Sequence, residues 1–94
     1  MNKKYRPSVH PGDVLQDEIN ELGITQAKLA EHIGVLPKTI NEICRSKRGI
    51  SAEMALRLAC ALGTSPEFWL NLQNNWELSL IDEKVYKTIK KVSA

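Results

Sequence analysis

Apolar residues return along this chain at steps of three and four, the spacing that gathers them on one face of an α-helix. Val14, Leu15, Ile19 and Leu22 follow Pro11, a favoured first-turn residue, and Asp13, which suits the positive helix end; Gly23 supplies the stop. Thr25 caps a second helix over residues 26–33, and Gly34 ends it. Pro37 opens a third, running to about Ser46, and the segment 47–50 reads as a loop. Ser51 caps a fourth, whose stripe of Ala55, Leu58, Ala59 and Leu62 closes at Gly63. Ser65-Pro66-Glu67 is a further start signal, and the fifth helix carries Phe68, Trp69, Leu72 and Trp76. From there Leu78, Ile81, Val85, Ile89 and Val92 keep helical spacing between Lys84, Lys87, Lys90 and Lys91, which predicts an amphipathic helix over roughly 77–92. No strand alternation competes. The expectation is an all-α fold of five helices with an additional amphipathic C-terminal helix, preceded by an irregular arm over 1–9.

Composition narrows the class. With 43% hydrophobic and 26% charged residues and only five Gly and four Pro, the chain is an ordinary globular sequence, long enough for one compact domain. The formal charge of +2 is unevenly spread: residues 1–24 sum to −1, 25–50 to +3, 51–76 to −1 and 77–94 to +1. A basic excess confined to one segment suits a partner that presents phosphates at one face. Cys44 and Cys60 are too few and too far apart for a disulfide framework or a zinc spacing and read as small apolar residues in a reducing compartment. Neither a membrane span nor a secretory leader is legible, so a cytoplasmic location is expected, with no membrane partner. His10 and His32 lack partners at metal-ligand spacing, and no nucleophile can be placed beside a base. No metal, cofactor or enzymatic activity is therefore expected. His10 should cap or pack at a helix start, and His32 should be exposed.

Residues 25–46 carry the chemistry, within a domain spanning 10–76. Two short helices are joined by a tight turn that begins with Gly34, and Ala30 sits where a crossing helix must come close. On the third helix Ile40, Ile43 and Cys44 share one side, while Lys38, Glu42 and Arg45 lie opposite, flanked by Thr39 and Asn41. That is the division of a helix-turn-helix reader of double-stranded DNA, whose second helix enters the major groove. Lys38 suits guanine, Asn41 adenine and Thr39 a thymine methyl. Glu42 would be repelled by phosphate unless it accepts from a cytosine amino group or pairs with Arg45. Gln26, at the start of the second helix, together with Lys28, Arg45, Lys47 and Arg48, provides candidate phosphate contacts. The same spacing also fits a plain helical hairpin with a polar outer face. Trp69 and Trp76 read as core or dimer anchors, and with Ile81, Val85 and Ile89 they form the candidate dimer or partner surface. The tail stripe has three possible partners: its own domain, a second subunit or another protein.

The run from Thr25 to Val35, followed by Thr39-Ile40-Asn41-Glu42-Ile43, resembles the lambda-repressor-like (XRE) helix-turn-helix family. Three further stretches, 10–15, 48–59 and 63–73, the last containing Ser65-Pro66-Glu67-Phe68-Trp69-Leu70-Asn71-Leu72-Gln73, resemble its HigA subfamily of antitoxins, also called virulence-associated protein I. The resemblance covers about residues 8–78. It implies a bacterial type II antitoxin that forms a homodimer, binds a palindromic operator before its own operon as a repressor, and neutralises a RelE/HigB-like mRNA-cleaving toxin. By position it gives Gln26 a phosphate contact and makes Lys38, Thr39 and Glu42 base-facing. Leu36 departs from the family, where proline is frequent. The rival readings are a stand-alone or phage-derived regulator without a toxin, and a helical protein-only inhibitor.

Overall fold

The computed structural model describes residues 9–93, and among them the regular structure is helical. Five α-helices follow one another as α1 (Pro11–Leu22), α2 (Gln26–Ile33), α3 (Pro37–Cys44), α4 (Ala52–Leu62) and α5 (Pro66–Ser79). Three of them begin as the capping residues dictate. The hydroxyls of Thr25, Ser51 and Ser65 accept from the backbone N–H groups of Lys28, Met54 and Phe68 at 3.0, 3.1 and 3.0 Å. At α1 the cap is an imidazole: His10 Nδ1 accepts from Gly12 N at 2.9 Å, while its ring packs edge-on against Trp76, centroids 4.6 Å apart. His10 thus both caps and packs, and burial holds its pKa below the ordinary histidine value against the opposing pull of Asp13.

The third helix stops at Cys44, earlier than the expected Ser46. Ser46 adopts φ 60°, and Lys47 N bonds Glu42 O at 2.8 Å while Ser46 N bonds Ile43 O at 3.0 Å. This is the closure usually built on glycine, here carried by a serine.

Every helix contributes to one core. Leu15 and Ile19 of α1, Leu29 and Ala30 of α2, Ile40 and Ile43 of α3, Ala55 and Leu58 of α4, and Trp69 of α5 form it together. The Trp69 ring is fully buried and its Nε1 donates to Thr64 Oγ1 at 2.8 Å, so its single polar atom is satisfied.

The C-terminal expectation needs correction. The fifth helix runs three residues past Trp76, and beyond Ser79 the chain forms only a 3₁₀ turn at Glu83–Val85, capped by Asp82. The separate amphipathic helix expected over roughly 77–92, within the C-terminal segment 77–94, therefore does not form beyond Ser79 among the described residues. Ile81, Val85 and Ile89 are all exposed. The physical reason is that no element among the described residues covers the stripe. An isolated helix of this length is marginal in water, and Val85, Thr88, Ile89 and Val92 are β-branched. The expected arm at 1–9 lies, except for Val9, outside the described residues. No helix among the described residues is long and apolar enough to cross a membrane.

Candidate nucleic-acid interface

Three close approaches position α3. Gly34 takes φ 76° at the end of α2, and Val35 N bonds Ala30 O at 2.9 Å, which turns the chain into α3 within Gly34-Val35-Leu36. Leu36 stands at the N-cap without a side-chain bond and is exposed. Ala30 has no exposed surface and belongs to the core that α2 shares with α3. From the other end, the start of α1 presses on α3: a Cβ placed on Gly12 would overlap the Ile43 carbonyl. From α4, Arg57 Nη1 donates to Ile33 O at 2.6 Å and its Nη2 pairs with Glu53 at 2.9 Å. A guanidinium is thereby anchored on the last turn of α2, where the helix dipole favours it.

Held this way, α3 divides as its periodicity implies. Ile40 and Ile43 are completely buried and Cys44 is half-buried; desolvation, with Asp13 adding to it, pushes the Cys44 thiol up to about 11. Lys38, Asn41 and Arg45 are exposed on the outer side, with Thr39 and Glu42 half-buried beside them. Lys47 and Arg48 are exposed in the segment that follows. Lys28 is exposed on α2, near Glu31 at 3.5 Å, a surface pair too solvated to restrain it. Eight of the nine candidate DNA-contacting residues thus lie on α3, on the residues just beyond it, or at the start of α2 against it, and the ninth, Lys28, is in the first turn of α2.

Two contacts inside this surface bear on its chemistry. Glu42 does have a basic partner, but it is Arg48 rather than the expected Arg45: Arg48 Nη2 and Nε reach Glu42 Oε1 at 2.8 and 3.0 Å. The early end of α3 explains the exchange, because the Ser46 turn folds residue 48 back along the helix. Gln26, half-buried at the start of α2, accepts from Asn41 Nδ2 at 3.1 Å and donates through Nε2 to Gln16 Oε1 of α1 at 2.7 Å. Glu42 and Asn41 are therefore both held by neighbours in the free protein.

Some residues that matter here gave no warning in the sequence. Gln16, Arg57 and Glu53 look like ordinary surface residues of amphipathic helices. Gln73, a polar residue of α5, is buried; its Oε1 accepts from Ile50 N at 2.7 Å and its Nε2 donates to Glu77 at 3.1 Å. It pins the segment between α3 and α4, and a Cβ on Gly49 would run into it. Trp69 must leave the candidate partner surface, since a ring with no exposed area reaches nothing outside its own core. Trp76 is half-buried against His10, and Ile81, Val85 and Ile89 are accessible. Among the described residues, no group of three His, Cys, Asp or Glu side chains converges as a metal site would require.

Comparison with known proteins gives a consistent result. The helix-turn-helix family model matches residues 15–69. Virulence-associated protein I of Dichelobacter nodosus is 38% identical over 82 residues, covering 86% of this chain and 76% of that protein. Antitoxin HigA-1 of Vibrio cholerae is 40% identical over 79 residues, covering 83% and 74%. Among solved structures, antitoxin GraA in complex with its operator superposes with a TM-score of 0.88 at 37% identity, covering all of both chains.

Proposed function

The chain belongs to the lambda-repressor-like (XRE) helix-turn-helix family, in its branch of HigA antitoxins and virulence-associated proteins, and from that premise we propose that it is a DNA-binding antitoxin that represses its own operon. The observation that carries this reading is the outer face of α3. Lys38, Asn41 and Arg45 are exposed together on a helix whose opposite side is locked into the core. A protein-only inhibitor would leave that face without a task.

In the proposed complex α3 lies in the major groove. Lys38 donates to guanine, Asn41 pairs with adenine, and Thr39 meets a thymine methyl. Glu42 enters with its Oε1 already on Arg48, so its charge is offset before phosphate comes near. Its second carboxylate oxygen remains able to accept from a cytosine amino group. Gln26 keeps one Nε2 hydrogen for a phosphate at the start of α2, where unpaired backbone amides add to it. Lys28, Arg45, Lys47 and Arg48 contribute contacts that carry no sequence information. A homodimer would set two copies of α3 in successive major grooves, about 34 Å apart, and so require a palindromic operator. The exposed tail, with Ile81, Val85 and Ile89, is the surface offered to a second subunit or to a RelE/HigB-like toxin. The setting is the cytoplasm.

A reporter driven by the DNA upstream of its own reading frame tests the proposal in cells. Wild-type protein should silence it, Lys38→Ala should relieve repression, and co-expression should rescue growth arrested by the product of the neighbouring reading frame. A reporter that stays active with wild-type protein present would refute autorepression. Failure of rescue would refute the antitoxin role and leave the regulator.

A further inference from the structure

The bond between Gln26 and Asn41 is one link in a longer row of amides. Asn41 Nδ2 donates to Gln26 Oε1 at 3.1 Å, Gln26 Nε2 to Gln16 Oε1 at 2.7 Å, and Gln16 Nε2 to Asn20 Oδ1 at 2.9 Å. The row joins three helices, α3, α2 and α1, at the face of α3 that the proposed function turns toward the bases. We infer that Gln16, on a helix outside the helix-turn-helix, is a positioning residue for sequence readout that acts through Gln26 on Asn41.

A side-chain amide has two N–H hydrogens and one carbonyl oxygen, so each bond in the row constrains the next. With Gln16 offering its carbonyl, Gln26 must turn its NH2 toward α1 and its carbonyl toward α3. Asn41 then faces Gln26 with its NH2. What Asn41 has left is one Nδ2 hydrogen and the whole of Oδ1, a donor beside an acceptor. Adenine presents the complementary pair in the major groove, the N7 acceptor and the N6 donor, whereas guanine presents two acceptors. Overturning Asn41 alone would set its oxygen against that of Gln26 at about 3 Å and lose the bond. Gln16 therefore fixes which edge Asn41 shows. The central Gln26–Gln16 bond is partly buried, so water competes with it less than with the exposed bonds at either end of the row.

This inference rests on Asn41 facing a base, and the test separates the two ideas. Wild-type protein and four variants (Asn41→Ala, Gln16→Met, Gln16→Glu and the double Gln16→Met/Asn41→Ala) are titrated against the DNA upstream of the gene and against versions with one base pair changed at a time. Methionine fills the space of glutamine without its bonds. Glutamate keeps the acceptor facing Gln26 and so keeps the sense of the row. Asn41→Ala should erase the preference at one A·T pair, and Gln16→Met should reduce that same preference by about tenfold, leaving other positions unchanged. The double variant should discriminate no worse than Asn41→Ala. Gln16→Glu should bind every duplex more weakly, through its charge, yet retain the preference.

If Asn41→Ala erases a preference that Gln16→Met keeps, the role of Gln16 is refuted and the base contact stands. If Gln16→Met weakens all duplexes alike, Gln16 is scaffold only and the inference again fails. If Asn41→Ala changes nothing, both ideas fall together.

Discussion

Replacing Gly12 by alanine tests the account of how α3 is held. The added Cβ would overlap the Ile43 carbonyl oxygen, stand 2.7 Å from the carbonyl carbon and come within 3.0 Å of His10 Nδ1. The obstructing carbonyl is backbone in the last turn of α3, so no rotamer change can clear it; α1 and α3 must separate. Such overpacking costs about 1–3 kcal/mol. Alanine's helix preference over glycine offsets at most about 1 kcal/mol, and less in a first turn. A net loss of about 1–2 kcal/mol follows, and at about 4–8 °C per kcal/mol for a domain of this size the melting temperature should fall by about 5–15 °C. Thermal unfolding followed by circular dichroism at 222 nm measures it. DNA affinity should fall as well, because the displaced turn follows directly on Asn41. A Gly12→Ala protein that melts at or above the wild-type temperature would show that helix propensity outweighs the contact and would refute the close approach.

Four other outcomes are expected. Gln73→Leu removes the acceptor for the buried Ile50 N–H and should cost about 2 kcal/mol in urea unfolding; a neutral result would mean that water already serves that amide. Ser46→Gly relieves a left-handed φ on a residue with a Cβ and should stabilise by about 0.5–1 kcal/mol in the same assay. His10 is needed neutral, because its Nδ1 accepts from Gly12, and its folded pKa is lowered. Its contribution is therefore present above the ordinary histidine value and lost as pH falls through that value toward the lowered one, so unfolding free energy should drop as pH falls below about 6.5 in wild type but not in His10→Ala. With its thiol pushed up to about 11 and half-buried, Cys44 should react with iodoacetamide at pH 8 more than tenfold slower than the exposed Cys60, as peptide mass spectrometry would report.

The fold was legible wherever a local signal decides the structure. Thr25, Ser51 and Ser65 cap helices because a hydroxyl at that spacing satisfies an otherwise free N–H, and this needs no knowledge of the rest of the chain. The division of α3 into Ile40 and Ile43 inside, Lys38, Asn41 and Arg45 outside, was legible for the same reason. What depends on distant neighbours was not. The tail has the period of an amphipathic helix, but a period stabilises a helix only where something covers its apolar side, and Ile81, Val85 and Ile89 are exposed. Gln73 has the look of a surface residue until the Ile50 amide, 23 positions away, is found to need it. Of the basic residues, the sequence offers Glu42 its near neighbour Arg45 as a partner, whereas an unforeseen left-handed Ser46 brings Arg48 round instead. The residues that share the outer face of α3 were thus legible from its period, and the contacts that set their orientations were not.

The most direct test of the central claim is a titration of the purified protein against a labelled duplex of its own upstream DNA, at several salt concentrations, beside a Lys38→Glu/Arg45→Glu variant. The account predicts saturable binding stronger than to random duplex, with log affinity falling by about 0.9 per decade of salt for each phosphate neutralised. It also predicts loss of that binding in the variant while its helical circular dichroism is retained. Binding no tighter than to random duplex at low salt, or equal binding by the folded variant, would contradict the assignment of α3 as the reader.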